Sequence, residues 1–420
     1  MIRLVEMRIL LGAHTINPAG GGEAGIGWGW AESLASLPGV ERVTVVAHPM
    51  AREQIEARLA ADELLREKLR FEWVLPPDRI DPWNGDVPGK KVWHRLLIHY
   101  QLWQRYAERA ALRLVDRIDL AQHVTFGNIF LRTFVAKLPV PYIIGPVGGG
   151  QSPAVSDAAA LLARTRDVHG GVELARSLIV RVNAHRPELR RRLGGAVAVL
   201  CANSQTLDVA RRFQSRSELM IDGGIGQLPP ERARLNLDKP TVLWVGKMES
   251  RKDPLAVVDV AEHLRTVAPA VRVRVVGDGW LRERLRRDID ERRLGEVIEL
   301  VGTLPHEQMA TVYASASVFL FTSRRDTFGV QNLEAMSHGL PIIYRDSPGV
   351  GVADFAGDSA VPVPTREFPR EAAVEIAHLT STPDLWNRIS NTARDRAAEL
   401  TWTVKARRLF EIASSALGRP

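Results

Sequence analysis

The sequence predicts an α/β protein of two parallel-sheet domains, and three observations carry that prediction. At 420 residues the chain is too long for one comfortable hydrophobic core. Two blocks of short, nearly all-apolar segments alternate with amphipathic ones, the pattern of parallel strands covered by helices on both faces. Between the blocks lies DGGIGQLPPERARLNLDKP, residues 222–240, rich in glycine, proline and charge. We therefore place an N-terminal domain at 1–225, a linker at 226–240, a C-terminal domain at 241–400 and a helix at 401–420 that packs back on the first domain.

The first block reads as the strands MRILLGAH, RVTVVAHP, LAQHVTF, VPYIIGP and AVAVLCANS. A long helix, KKVWHRLLIHYQLWQRYAERAALRLVDR, lies between the second and third. Its apolar stripe of Trp93, Leu96, Leu97, Tyr100, Trp103, Ala107, Ala110 and Leu114 either packs on the sheet or lies on a membrane, and we favour the sheet. The second block alternates strands PTVLWVGKM, VRVRVVGDG, VIELVG, VFLFTS and LPIIYRD with four helices. One of these, DPLAVVDVAEHLRTV, opens with Asp253 as expected N-cap and Pro254 at the first helical position. Another runs from Val330 to His338. The last stretch is helical, with a break near Leu400 and Thr401.

Composition excludes several classes. The single cysteine, Cys201, rules out a disulfide framework and reads as a small core residue. Neither a secretory signal nor an apolar run of ~18 residues is present, so a cytoplasmic protein without a membrane span is expected. The net charge of +7 suits phosphates or anionic lipid. We expect no nucleic-acid partner, and peripheral membrane contact stays open.

The most informative stretch is SRRDTFGVQNLEAMSHGLPIIYRD, residues 323–346. Carboxylates at 326 and 334 would stand about 80° apart on one continuous helix, sharing no tight face. A turn before Gly329 removes that difficulty. Asp326 then lies in the loop after a strand, Glu334 about one turn inside the next helix, and both reach the strand ends. The backbone N–H groups of Gly329, Val330 and Gln331 stand between them at a helix N-terminus, suited to a diphosphate. Carboxylates suit sugar and ribose hydroxyls. The stretch reads as a cradle for a nucleotide sugar.

This arrangement resembles the E-x7-E motif of glycosyltransferase family 4, retaining enzymes of the GT-B fold, in which two Rossmann-like domains face each other across a cleft. The match is DTFGVQNLEAMSHGLPII, with Asp326 where members usually have Glu and TFG in place of a Gly-Phe-Gly triplet. The segment VLWVGKMESRKDPLAVVDVAEHL is similar to the family's diphosphate-binding segment. Lys247 stands in its Arg position and Lys252 in its Lys position, so a point charge is kept and the guanidinium fork lost. VVGDGWLRERL and MIDGGIGQ resemble further family segments, and PYIIGPVGGGQ resembles a bacterial subset with a GPVGGG loop.

In the first half, Gly20, Gly21 and Gly22 of NPAGGGEAG look like the family's glycine-rich loop. The nearby GIGWGW suggests a dinucleotide fingerprint, but its spacing fails and its glycines begin too far beyond the strand. Family enzymes place a His near the donor sugar. His123, ending a strand, is the candidate, while Gln122 occupies a second position where members carry His. Trp28, Trp30, Trp73, Trp83, Trp93 and Trp103 line an acceptor pocket or the core. The DID of Asp288 to Asp290 mimics a metal motif, but it sits in a charged helix and reads as a solvated face, so no metal is expected.

The resemblance implies transfer of a sugar, with retention at the anomeric carbon, from a nucleoside diphosphate sugar to an acceptor, and closure of the domains over the donor. His123, Asp326 and Lys252 are the catalytic set it implies. Gly20, Gly21, Gly22, Lys247, Lys252, Asp326, Phe328, Gly329, Val330, Gln331 and Glu334 are the substrate-binding set. The donor, carrying UDP or GDP, is a substrate, and no cofactor is expected. A soluble small-molecule acceptor is favoured over a lipid-linked or surface-glycan one. A sugar-nucleotide epimerase, a phosphorylase and a non-catalytic sugar-nucleotide binding protein are the rival readings.

Overall fold

The computed structural model describes residues 6–77, 92–165 and 168–418, without the side chains of 92–97 and 168–170. Strands are β1 Met7–Gly12, β2 Val40–Ala47, β3 Leu69–Trp73, β4 Leu120–His123, β5 Tyr142–Val147, β6 Ala198–Cys201, β7 Ser217–Leu219, β8 Thr241–Val245, β9 Arg272–Val276, β10 Ile298–Gly302, β11 Val318–Phe321, β12 Ile342–Asp346 and β13 Ala360–Pro364. Helices are α1 Gly22–Ala35, α2 Arg52–Ala60, α3 Glu63–Lys68, α4 Val92–Leu112, α5 Val155–Thr165, α6 Val168–Ala184, α7 Pro187–Gly194, α8 Ser204–Arg211, α9 Leu255–Val267, α10 Arg282–Glu291, α11 His306–Ser315, α12 Val330–Ser337, α13 Ala353–Ala356, α14 Phe368–Ser381, α15 Pro383–Ala398 and α16 Trp402–Ala416.

These elements form two compact units. The first holds Met1–Gly150, Asn183–Gly226 and Trp402–Pro420, and the second Gln151–Val182 and Gln227–Thr401. The first unit's sheet is wholly parallel in the order β3-β2-β1-β4-β5-β6-β7. Ile9 and Leu11 enter one core with Trp30, Leu34 and Leu409, and Leu10 enters the other with Tyr100, Trp103 and Ala107. This two-residue alternation is that of a strand buried on both faces. The stripe of α4 thus packs on the sheet where its side chains are described. The side chain of Trp93, and all of Trp83, lie outside the described residues. Trp28 and Trp30 are core residues as well.

The terminal helix α16 packs on α1. A Cβ at Gly29 would collide with the Trp402 ring, so the GIGWGW glycine closes a helix–helix contact. Buried Lys405 lies over Trp30 and Trp402, 5.1 and 4.8 Å from their ring centroids, and donates to the Gly223 carbonyl.

The second unit's sheet is also wholly parallel, in the order β10-β9-β8-β11-β12-β13. On one face, Val242, Trp244, Val273 and Val275 pack with Leu255 and Val258 of α9 and Ile376 of α14. Residues 227–240, read as linker, lie within this unit: Ala233 donates its N–H to the His338 carbonyl at 2.8 Å.

Two expectations are corrected. Residues 151–182, read as part of the first domain, belong to the second unit. Ala158 and Leu161 are buried, and several polar side chains bind within that unit. The Ser347 hydroxyl donates to Asp157 Oδ2 (2.8 Å), Arg164 pairs with Asp259 (2.6 Å), and Arg325 grips Glu173 with both arms of its guanidinium (2.6 and 2.7 Å). The outward residues Val172, Leu174, Leu178, Ile179 and Val182 of α6 are apolar and exposed, the reverse of an ordinary surface helix.

Asp253 is the second correction. It does not cap α9, whose cap is Pro254. Its backbone is left-handed at φ 45°, and its buried carboxylate accepts from Arg324 (2.8 Å) and Arg345 (3.1 Å). The ion cluster outweighs the cap because a carboxylate buried this deeply must find cations.

Candidate functional site

In each sheet the strand order turns at one place. Successive strands spread one way from β8 through β9 to β10, and the other way from β11 through β12 to β13. The loops leaving β8 and β11 splay apart at such a reversal, and ligands of open α/β sheets settle there. Both loops carry the charges singled out above. The turn after β8 ends in a 3-10 segment, Ser250–Lys252, and the loop after β11 holds Asp326.

Lys252 is buried, and its ammonium donates to Asp326 Oδ2 while lying 5.4 Å from the centroid of the Phe321 ring. Arg251 bonds Glu249 (2.6 Å) and reaches to 3.5 Å from the same Asp326 oxygen. The Asp326 backbone is pinned by its N–H to Gly349 (2.9 Å), and Oδ1 accepts the Thr327 N–H (3.1 Å). Burial alone would push the Asp326 carboxyl up, but Lys252 and Arg251 beside it hold it below its ordinary range. Burial lowers the Lys252 ammonium, and Asp326 offsets only part of that effect. Lys247 is exposed and forms no ion pair among the described residues, so the structure does not bring it to Asp326 as it does Lys252.

Gly329 makes the turn into α12. Its φ is 75°, and a Cβ there would sit 2.6 Å from Asn332 Nδ2 and 2.9 Å from the Phe321 ring, so only glycine fits. Phe328 is a core side chain at this point, edge-on to Phe355 at 5.7 Å, and its carbonyl accepts from Asn332 Nδ2 (2.9 Å). Val330 is half-buried. Gln331 is buried, and among the described residues its Nε2 has no hydrogen-bond partner. One turn on, half-buried Glu334 accepts the hydroxyl of Tyr313, a residue of α11, at 2.7 Å. Its carboxyl is raised by burial, against the pull of the Tyr313 hydrogen bond and of His306.

The first sheet reverses between β1 and β4, where Gly12 pairs with His123. His123 is buried at the end of β4. The Phe126 backbone bonds its ring, and Nε2 has no hydrogen-bond partner among the described residues. Burial first, and the Arg192 charge second, lower it to about 4, so it is a neutral imidazole at pH 7. Gln122 donates instead to the Gly145 carbonyl (2.9 Å). After β1, Gly20 and Gly21 lead into α1. Gly21 is its N-cap, and Gly22 is its first residue at φ 57°. A Cβ at Gly21 or Gly22 would meet nothing within 4 Å. Asp288 is half-buried and Asp290 exposed on α10. Among the described residues no group of three His, Cys, Asp or Glu is placed to hold a metal ion.

Sequence reasoning missed Arg251, Tyr313 and the Arg325–Glu173 pair. The first was in plain view beside Lys252. The other two join residues 21 and 152 positions apart, and no local pattern announces such contacts.

Residues 229–396 match the family described as glycosyl transferases group 1. A D-inositol 3-phosphate glycosyltransferase of Thermobispora bispora is 29% identical over 199 residues, covering 45% of this chain and 46% of that protein. An alpha-D-kanosaminyltransferase of Streptomyces kanamyceticus is 27% identical over 163 residues, covering 39% and 42%. The chain thus spans less than half the length of these curated relatives. Among solved structures, HepE of Anabaena in complex with UDP and glucose superimposes with a TM-score of 0.60 at 14% identity, covering 98% of this chain and 100% of that one. At that identity the likeness is one of fold: two Rossmann-like parallel-sheet units of the GT-B kind. The resemblance to family 4 is borne out.

Proposed function

We propose, for a chain whose residues 229–396 match the glycosyl transferases group 1 family, a retaining transfer of a sugar from a nucleoside diphosphate sugar to a small-molecule acceptor. One observation carries the reading. Lys252, Arg251 and Asp326 meet at the strand-order reversal between β8 and β11, directly before the N-terminus of α12. Cations and free amides there suit a diphosphate, and the flanking carboxylates suit hydroxyls.

In this reading the diphosphate takes Lys252 and the amides of Gly329, Val330 and Gln331. Asp326, released from Lys252, accepts a hydroxyl of the sugar, and Glu334 accepts the ribose. Lys247 approaches the diphosphate from its exposed position. As the bond from the anomeric carbon to the phosphate oxygen breaks, negative charge grows on the diphosphate, and Lys252 stabilises it. The acceptor oxygen attacks the same face and passes its proton to the departing phosphate, which gives retention. His123 and the turn of Gly20, Gly21 and Gly22 are assigned to sugar and acceptor. UDP is supported by the ligand of HepE, and the relative named for D-inositol 3-phosphate supports a soluble acceptor. The exposed apolar residues of α6 favour one second reading, a lipid-linked acceptor.

Thermal shift with UDP-, GDP- and ADP-sugars tests the donor. A saturating donor at ~100 times its Kd stabilises by about 2.7 kcal/mol. NMR of the product then reads the anomeric configuration. No shift with any sugar nucleotide, or an inverted product, overturns the proposal.

A further inference from the structure

The Glu334 carboxylate is held from an unexpected side. Tyr313 lies on α11, the crossover helix between β10 and β11, and its side chain is 1% exposed. Its ring stacks on His338 (5.6 Å between centroids, 21° between planes) and tilts against Phe319 (6.1 Å). A phenylalanine would make the same ring contacts. The hydroxyl adds a polar group to a dry place, which is costly unless it is bonded. It is bonded, to Glu334 Oε2 at 2.7 Å. The tyrosine therefore has no packing advantage over phenylalanine here, and the gain lies with the carboxylate.

Resting on the reading that Glu334 receives the ribose, we infer that Tyr313 is a positioning residue for recognition of the ribose diol. A carboxylate that grips two neighbouring hydroxyls must present its plane in one orientation. The Tyr313 hydroxyl occupies one oxygen and stops rotation about the end of the Glu334 side chain, which is otherwise a broad torsion. Because a phenol at neutral pH only donates here, it also keeps the carboxylate an acceptor.

The groups facing this carboxylate are few. Tyr313 and His306 come from α11, and His338 at the end of α12 stacks on Tyr313, with Arg394 of α15 near it. His338 is lowered to about 4 by burial first and Arg394 second, so it stays neutral and does not compete as a cation.

The test is binding of UDP, GDP and ADP, each with its 2′,3′-dideoxy form, to wild type, Tyr313→Phe, Glu334→Ala and the double variant. Wild type should prefer the ribonucleotide about 30-fold, and Glu334→Ala should not discriminate. Tyr313→Phe should keep its Tm and ring contacts while its preference falls to about 3-fold, and the double variant should match Glu334→Ala. In Tyr313→Phe the acid limb of ribonucleotide binding should move to higher pH, because the lost hydrogen bond no longer lowers the Glu334 carboxyl. A purely structural tyrosine would weaken both nucleotide forms alike and leave that limb in place. Full discrimination in Tyr313→Phe, lost only in Glu334→Ala, overturns the inference and spares the donor site. A wild type that binds both forms equally removes the Glu334 reading itself.

Discussion

Asp326 and Glu334 are eight residues apart in one motif, yet their surroundings differ in kind. Asp326 sits on a loop among Lys252 and Arg251, with its backbone pinned to Gly349 and its carboxyl driven down. Glu334 sits on a helix with one neutral donor, Tyr313, and its carboxyl is driven up. Paired carboxylates whose environments push their pKa values apart divide their tasks. Asp326 is a member of an ion cluster, ionised at neutral pH, that a diphosphate would have to reorganise. Glu334 is a more lightly held acceptor, available without breaking a salt bridge. Two acids of similar chemistry are thus distinguished by the element each meets, the loop after β8 for Asp326 and α11 for Glu334.

The widest break in that comparison comes from the cation. Lys252→Ala should lower kcat/KM by about 10²–10³-fold in steady-state assays, the scale of losing one preorganised charge from a site. The loss should fall mainly on kcat, since the leaving phosphate gains charge as the bond breaks. An effect on KM alone would mean that Lys252 serves Asp326 and not the diphosphate. Glu334→Ala should come next. Removing an ionised acceptor of hydroxyl hydrogen bonds costs about 1.5–3 kcal/mol, or roughly 10- to 150-fold in donor affinity, with kcat changed much less. Calorimetric titration of the donor reads this directly. Equal losses in kcat and affinity would place Glu334 among the groups that act on the transition state.

Much of this was legible in the sequence, and the failures have physical causes. The ten strands read from apolar runs all exist, and the three that were missed, β3, β7 and β13, are edge strands. An edge strand is paired on one side only, and these are partly exposed, so none carries the all-apolar signature of its neighbours. β13 even includes Pro362 and Pro364, which an edge tolerates because a missing donor can face outward. The turn-to-helix form of 326–334 followed from Gly329. What the sequence hid was long-range. The excursion 151–182 leaves the first unit and returns to it, and its allegiance is set by pairs such as Arg325–Glu173. Asp253 looked like a helix cap because its next residue is proline, while the arginines that claim it lie 71 and 92 residues away.

The effects on stability should have opposite signs, and they give the finest comparison of the two acids. Asp326→Asn leaves Lys252 and Arg251 facing a neutral amide in a buried place. Breaking such a pair costs about 3 kcal/mol, or roughly 6–12 °C of Tm in a unit of this size. Glu334→Gln removes a charge that burial disfavours and keeps an oxygen for Tyr313, so Tm should rise by about 1–2 °C. The pH dependence follows from the directions of the shifts. The folded pKa of Asp326 is depressed, so its stabilisation is present above the unfolded value of about 3.9 and is lost as pH falls through the lower folded value. The folded pKa of Glu334 is raised, so its ionised form burdens the fold at neutral pH, and the burden lifts as pH falls through that raised value. On acidification wild type should therefore converge first with Glu334→Gln and only at lower pH with Asp326→Asn. Scanning calorimetry from pH 7 down to about pH 2 reads both crossings. If both variants lost stability together at neutral pH, the acids would share one electrostatic environment, and the division of tasks between them would fail.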